Sequence, residues 1–505
     1  MYSKKLMGRK RSSILEQFSP ADAYQSALER FRNLLSPQSF ANLLSDLESP
    51  LYPAIRLNPL KATTQDLLQW AERYSWQLDP VPFCPLGWWV KEANVSVSQT
   101  VEHRFGYYYI QEAASMLPAE LFTFKHLDHP LILDMAASPG GKTTHLISRS
   151  EDRGLVIAND SSAARLTALR LVLQNWGAVN VAVTNFPGER FGSWFPETFD
   201  AVLLDAPCSM QGLRSSESHP MRPISEREQN MLAQRQARML ESALRAVKVG
   251  GQVVYATCTL TPEENEGVLD RILRQYGSAV QVEDANRLLP VPAPGLVNEE
   301  CKQYDPQVER AVRLWPHLYH TAGFFAAHLT KLSPMNSGKR VVFESAFSLQ
   351  RVGFLPLEKQ EIISLISNFE NDYGFDLGSL LVEYDLSLWR RRGTIYAFPN
   401  RYFSKFSSMP VHTLGMALGE KTPQGFIPAH EWVTRFYQSF LRGHYPLPDE
   451  YRSAWLRGED LRDFHPGEYP PGRIVLVQDA HSQFIGLGKI TSQRLKNLLP
   501  RRVVI

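Results

Sequence analysis

The chain has 505 residues, 44% of them hydrophobic, and a net charge of +2 at neutral pH. That length allows three or so domains with at least one large core, which excludes a disordered or fibrous chain, and a charge so near zero means that any nucleic-acid surface is local. Four cysteines, Cys84, Cys208, Cys258 and Cys301, form no C-x-x-C pair, which argues against a disulfide framework and a sequence-local zinc site and fits a reducing cytoplasm. No run of about 18 or more apolar residues marks a membrane span.

Residues 1–19 carry Lys4, Lys5, Arg9, Lys10 and Arg11 with no continuous apolar stretch behind them, which reads as a basic flexible tail rather than a signal peptide. Residues 20–110 mix helical periodicity with Pro-punctuated segments such as VPFCPLG at 81–87, as expected of a small α+β domain. Tyr107, Tyr108 and Tyr109 close that domain as candidates for stacking on bases, or as a strand edge half in the core. From 111 to 333 apolar runs alternate with helical stretches, the pattern of parallel βαβ units.

The segment LILDMAASPGGKTTHLIS, 131–148, reads as strand, small-residue loop and helix. Gly140 and Gly141 let backbone approach a ligand, and the helix N-terminus after them offers unpaired N–H groups to a carboxylate or phosphate. A P-loop would need glycine at 136, where this chain has Ala136. A second strand, LVIAND, ends in Asp160, about twenty residues beyond the glycine loop, where an acid can accept hydrogen bonds from ribose hydroxyls.

The next unit runs from Phe199 to Cys258. A strand at 200–204 leads into DAPCS, Ser225-Glu226-Arg227-Glu228 forms a capping box, and Leu232, Met239, Leu240, Ala243, Leu244 and Val247 give the following helix an apolar side. Gly250-Gly251 is expected to stop the helix before a strand at 252–256. A right-handed crossover of this length places the two strands side by side, about 4.8 Å apart. Active sites of open α/β sheets lie beyond the carboxyl ends of the strands, so Cys208 and Cys258 are expected to face one pocket and to serve covalent chemistry. LPVPAPG at 289–295 is a loop, and Arg313 to Lys331 reads as the last strands of the domain. Residues 334–390 read as a linker, MNSGKR, and a small connecting domain, and 391–505 as a β-rich domain. His126 with His129, and His317 with His320, lack a third ligand nearby and read as ordinary loop histidines, so no metal is expected.

RLNPLK at 56–61, YIQEAAS at 109–115, DMAASPGGKTT at 134–144, LLDAPCS at 203–209, YATCT at 255–259 and TAGFFAAHLTK at 321–331 together resemble the Nol1/Nop2/Sun family of S-adenosylmethionine-dependent RNA cytosine-C5 methyltransferases. The extension after 331 resembles that of bacterial members acting on 16S ribosomal RNA, whose tail includes a PUA-like RNA-binding domain. The resemblance implies a Rossmann-like methyltransferase core flanked by RNA-binding domains, with S-adenosylmethionine as cofactor. Ala136, Ala137, Ser138, Pro139, Gly140, Gly141 and Lys142 would hold its methionine part, Asp160 its ribose, and Asp205 the cofactor edge and the target base. Cys258 would be the nucleophile and Cys208 the residue assisting release. One departure is Pro187, where the family often has an acid near the adenine; backbone or Asn185 would have to serve instead.

The expected partner is 16S rRNA or the small ribosomal subunit, met by a monomer without membrane or metal. Arg390, Arg391 and Arg392, and Arg494, Lys496, Arg501 and Arg502, are candidate phosphate contacts or solvated faces. Lys142 is expected to orient Asp205 or to lower a thiol pKa. Three alternatives stand beside this reading: cytosine-C5 methylation of tRNA or another rRNA site, a reversed assignment in which Cys208 of the Pro-Cys pair attacks, and a non-catalytic ribosome assembly factor.

Overall fold

The computed structural model describes residues 20–214, 222–299, 301–335, 341–343, 345–423, 425–462, 465 and 467–504; the basic tail at 1–19 and most of the 335–340 linker lie outside them. The N-terminal part packs helices Pro20–Arg32, Pro37–Glu48 and Thr64–Tyr74 with a four-stranded sheet of β1 (Ala54–Leu57), β2 (Gln77–Pro80), β3 (Gly87–Glu92) and β4 (Tyr108–Ile110), in the order β2-β3-β1-β4. Thr63 and Asp66 form a reciprocal capping box that starts the third helix.

The central sheet begins with β5 (Leu131–Asp134), β6 (Leu155–Asn159), β7 (Val181–Thr184), β8 (Phe199–Asp205), β9 (Val247–Thr257) and β10 (Val280–Glu283). A small hairpin, β11 (Asn298–Glu299) and β12 (Lys302–Gln303), precedes β13 (Val312–Leu314) and β14 (Phe324–Lys331). β5 to β9 pair in parallel in the order β9-β8-β5-β6-β7, and β14 lies antiparallel between β9 and β10. Both faces of this sheet are covered, as parallel sheets require. Leu131, Leu133, Val202, Leu204, Val253 and Tyr255 face one side, against Met239, Leu240, Ala243 and Leu244 of helix Glu226–Ala246. Ile132, Val156, Ala201, Leu203 and Val254 face the other, against Leu146, Ile147, Leu169 and Leu173.

Local details depart from the sequence reading. Helix Glu226–Ala246 ends before the glycines, and Gly250 and Gly251 lie inside β9, where the register against β8 shifts and Gly250 adopts φ +79. The capping box is one-sided: Ser225 Oγ accepts from the Glu228 N–H, while the Glu228 carboxylate pairs with Arg222. Tyr107 and Tyr108 are buried and pack on Trp70, so they are core residues rather than base-stacking platforms.

The extension supplies β15 (Leu355–Pro356), β16 (Leu386–Arg391), β17 (Thr394–Pro399), β18 (Thr413–Leu414), β19 (Met416–Thr422) and β20 (Gly425–Pro428). β15-β16-β17-β19-β20 form one sheet, and its β16–β17 hairpin runs through the boundary expected at 390/391. β18 leaves that sheet and pairs antiparallel with β7, so the extension lengthens the central sheet itself. The last unit, β21 (His444–Pro446), β22 (Ile474–Gln478), β23 (Phe484–Ile490) and β24 (Leu495–Asn497), shares an apolar core with the N-terminal domain, in which Leu57, Trp70, Phe105 and Tyr107 meet Trp432 and Phe484. Among the described residues no helix is long and apolar enough to cross a membrane.

Candidate active site

The carboxyl ends of β5, β6, β8 and β9 open onto one side, and the loops that leave them carry the expected residues. After β5 the chain turns back into helix Gly141–Arg149, with the Met135 N–H bonded to the Leu203 carbonyl and the Ala137 N–H to that of Asn159. Gly140 has φ +118, and a side chain there would come 2.9 Å from Val172, so both conformation and space demand glycine. Asp160, at the end of β6, accepts from the Ser138 N–H at 3.2 Å and the Ser162 N–H at 2.8 Å. Ala136 to Lys142 and Asp160 thus belong to one hydrogen-bonded loop system. Asn185 donates its amide to the Asp160 carbonyl at 2.6 Å, while Pro187 is exposed at the start of a short turn.

Cys208 and Cys258 follow β8 and β9, whose ends are in register at Asp205 and Ala256. Their sulfurs lie 3.2 Å apart. Cys258 is exposed at the mouth of the site and Cys208 is half-buried beneath it. A proton shared over that distance makes the pair unequal: the hydrogen bond from Cys208 holds Cys258 below the usual thiol range, with help from the Lys142 cation, against the opposing effects of desolvation by the surrounding protein and of the Asp205 charge. The same bond, with burial, pushes Cys208 well above that range.

Lys142 donates to Asp205 at 2.8 Å, and its ammonium lies 5.4 Å from the centre of the Phe324 ring. Burial opposes its charge, but Asp205 outweighs that and raises the Lys142 pKa. Behind the pair, Asp134 is buried; burial and the Asp205 charge push its carboxyl up to about 7 despite a 2.7 Å hydrogen bond from Thr143. Asp134 Oδ1 is buried without a partner, which suits a cationic ligand group at the loop. Together with the glycine-lined turn and the Asp160 carboxylate, this donor set fits S-adenosylmethionine.

Two further residues, to which the sequence alone gives no role, also hold the site. Arg56, fully buried on β1, donates to Gln111 at 3.1 Å, to the Gly141 carbonyl at 2.9 Å and to Thr144 at 2.7 Å, and its guanidinium lies 4.7 Å from the Trp176 ring centre. Glu112 accepts from the Ala322 N–H at 3.0 Å and the Ser115 N–H at 3.1 Å, tying QEAAS to the segment before β14. Both lie within motifs that carry the family resemblance, but the contacts of Arg56 with helix Gly141–Arg149 and of Glu112 with Ala322 join segments more than 80 and 200 residues apart, so spacing gives no signal for them.

The candidate basic clusters are largely engaged within the chain. Arg390 pairs with Glu361 at 2.6 Å, Arg391 lies over Phe354, Arg494 pairs with Asp460 at 2.9 Å, and Arg502 pairs with Glu431. His320 bonds Asp46 at 2.7 Å. Cys84, Glu120 and His145 form a further cluster whose ligand atoms lie within 4.8 Å of one another. Cys84 bonds Glu120 at 3.4 Å, His145 bonds it at 2.8 Å, and Arg149 pairs with it at 3.2 Å. Burial pushes Cys84 up to about 12 and His145 down to about 4. With the Arg149 guanidinium already on Glu120 and Arg56 nearby, the cluster is a hydrogen-bonded anchor for helix Gly141–Arg149 rather than a cation cage.

Residues 122–330 match the family described as 16S rRNA methyltransferase RsmB/F, and 25–113 match the N-terminal domain of 16S rRNA methyltransferase RsmF. The chain is 32% identical to the ribosomal RNA small subunit methyltransferase F of Pectobacterium atrosepticum, over 97% of each chain. It is 34% identical to that of Shewanella loihica, over 92% of each. Among solved structures, a methyltransferase homologue from Pyrococcus horikoshii is 31% identical with a TM-score of 0.50, over 61% of this chain and 99% of that one. NSun6 from the same organism, 21% identical with a TM-score of 0.51 over 61% and 98%, shares the fold. The chain belongs to the RsmB/F family of S-adenosylmethionine-dependent 16S rRNA methyltransferases.

Proposed function

We propose that the protein methylates C5 of a cytosine in 16S rRNA, with Cys258 as nucleophile. The observation that carries this reading is the thiol pair, 3.2 Å apart, beside the Lys142–Asp205 ion pair. Cytosine C5 is too weak a nucleophile to take a methyl group unaided. The Cys258 thiolate therefore bonds to C6 and moves electron density toward C5. Asp205, oriented by Lys142, hydrogen-bonds the N3/N4 edge and stabilises the proton gained there. When bound, S-adenosylmethionine supplies the methyl group as a sulfonium electrophile.

Bonding of Cys258 to carbon removes the charge beside Cys208, which then yields its proton to solvent. The Cys208 thiolate takes the C5 proton, the electrons of that C–H bond close the C5–C6 double bond, the C6–S bond breaks with Cys258 leaving as thiolate, and the proton gained at N3 departs through Asp205. A stacked base cannot reach this pocket, so the target is unpaired or flipped out, at a cost of about a few kcal/mol.

Ala136 to Lys142, Asp160 and Asp205 are assigned to the cofactor, and the extension, with a PUA-like unit in its C-terminal part, to RNA. The enzyme acts as a monomer in the cytoplasm. Bisulfite sequencing of small-subunit rRNA from cells with and without the gene tests the reading: one cytosine loses its methylation in the deletion strain, and unchanged methylation throughout that RNA overturns it.

A further inference from the structure

The stretches around the two cysteines are joined by a buried carboxylate. Glu264 ends the short turn Pro262–Glu264 after β9 and is fully buried. Its Oε2 accepts from the Ser209 N–H at 3.0 Å and from the Gln236 amide at 2.8 Å; its Oε1 accepts from the Thr261 hydroxyl at 2.8 Å. The Gln236 amide also donates to the Pro207 carbonyl at 2.9 Å. Both neighbours of Cys208 are therefore held, one by its carbonyl and the other by its amide.

The neighbours of Cys258 are held from the same turn. Thr257 donates to the Asn265 side chain at 2.6 Å, and the Asn265 amide donates to the Thr259 carbonyl at 2.9 Å. Ser209 and Thr259 join the two loops directly through their hydroxyls, 3.1 Å apart, and Thr259 bonds Thr261 at 3.0 Å. Neutral donors hold the Glu264 carboxylate, an arrangement costly to bury that simple packing would not need.

We propose that Glu264 is a positioning residue for methyl transfer: its carboxylate clamps the Cys208 loop to the Cys258 loop and so keeps the two sulfurs within proton-sharing distance. This rests on the reading that Cys258 attacks while Cys208 manages a proton. The charge of Glu264 also faces Cys208 and opposes its ionisation.

The test is binding of phenylarsine oxide, which bridges two thiols only when their sulfurs are adjacent, with Cys208→Ser as the background. Glu264→Ala weakens arsenical binding about tenfold, the equivalent of one lost hydrogen bond to a charged group, and lowers kcat while leaving cofactor affinity unchanged. Glu264→Gln restores both to within about threefold, because its carbonyl serves Ser209 and Gln236 while its amide faces the Thr261 hydroxyl. Should Glu264→Ala fail to fold, Thr261→Val removes one arm of the clamp and weakens the arsenical about threefold. Unchanged arsenical affinity in the folded variants overturns the clamp. The arsenical assay needs neither RNA nor cofactor, so its result is separate from the proposed reaction, which absence of cytosine methylation by the wild-type protein overturns.

Discussion

Cys208 and Cys258 are fifty positions apart in sequence, yet their sulfurs lie 3.2 Å apart, because the parallel strands that carry them end in register. That contact shifts the two thiols in opposite directions, Cys258 below and Cys208 above the usual thiol range, and the first expectations follow from it.

Cys258→Ser is expected to lower methylation about a thousandfold or more, since a hydroxyl at this site has no base to make it an alkoxide. Cys208→Ala is expected to stall after bond formation and to accumulate a protein–RNA adduct that survives denaturing electrophoresis. An adduct in Cys258→Ala and none in Cys208→Ala would exchange the two roles.

The thiolate character of Cys258 depends first on Cys208 and then on Lys142. Cys208→Ala and Lys142→Met are each expected to raise the midpoint of its alkylation by iodoacetamide. The rate profile against pH, followed by peptide mass analysis at Cys258, checks this. A midpoint unmoved in both variants would remove the basis for an activated thiol.

Asp134 makes apo-protein stability depend on pH. Its carboxyl is pushed up to about 7 by burial and the Asp205 charge, with Thr143, Lys142 and the Ala136 N–H acting the other way. Between the unfolded value of about 4 and this folded value, the folded state holds a proton that the unfolded chain has released. The contribution is therefore largest at low pH and is lost as pH rises through about 7. Asp134→Asn keeps an acceptor for Thr143 but does not titrate, so the difference in Tm between variant and wild type grows in the variant's favour from pH 5 to pH 8. Thermal melts across that range give the answer.

Arg56→Met removes the guanidinium that ties β1 to the first turn of helix Gly141–Arg149. A loss of about 2–4 kcal/mol of stability is expected from unpaired buried acceptors, together with weaker cofactor binding, because the Ala136 to Lys142 loop leads into that turn. Urea unfolding and titration calorimetry measure the two effects separately.

The parallel core and the placement of both cysteines were readable because β5 to β9 are short apolar runs with small-residue breaks behind them, and such runs place their following loops at one sheet edge. Helix Glu226–Ala246 showed its inward face through Met239, Leu240, Ala243 and Leu244 for the same reason of period. What escaped depends on contacts between distant segments. Nothing local in the sequence assigns a role to Arg56, which is met by Gly141 and Thr144, or to Glu264, which is met by Ser209 and Gln236. Tyr107 and Tyr108 looked available for bases because the last unit that packs nearby lies more than 300 residues further on. Gly250 and Gly251 looked like a helix stop because a bulge within a strand has the same composition.

The pairing of β18 with β7 reaches beyond domain arrangement. Without it, β7 would present a row of unpaired N–H and C=O groups at the margin of a strongly apolar sheet, a template on which strands of other molecules can add. The extension therefore covers that margin, and a chain cut after Lys331 would leave the edge open to aggregation.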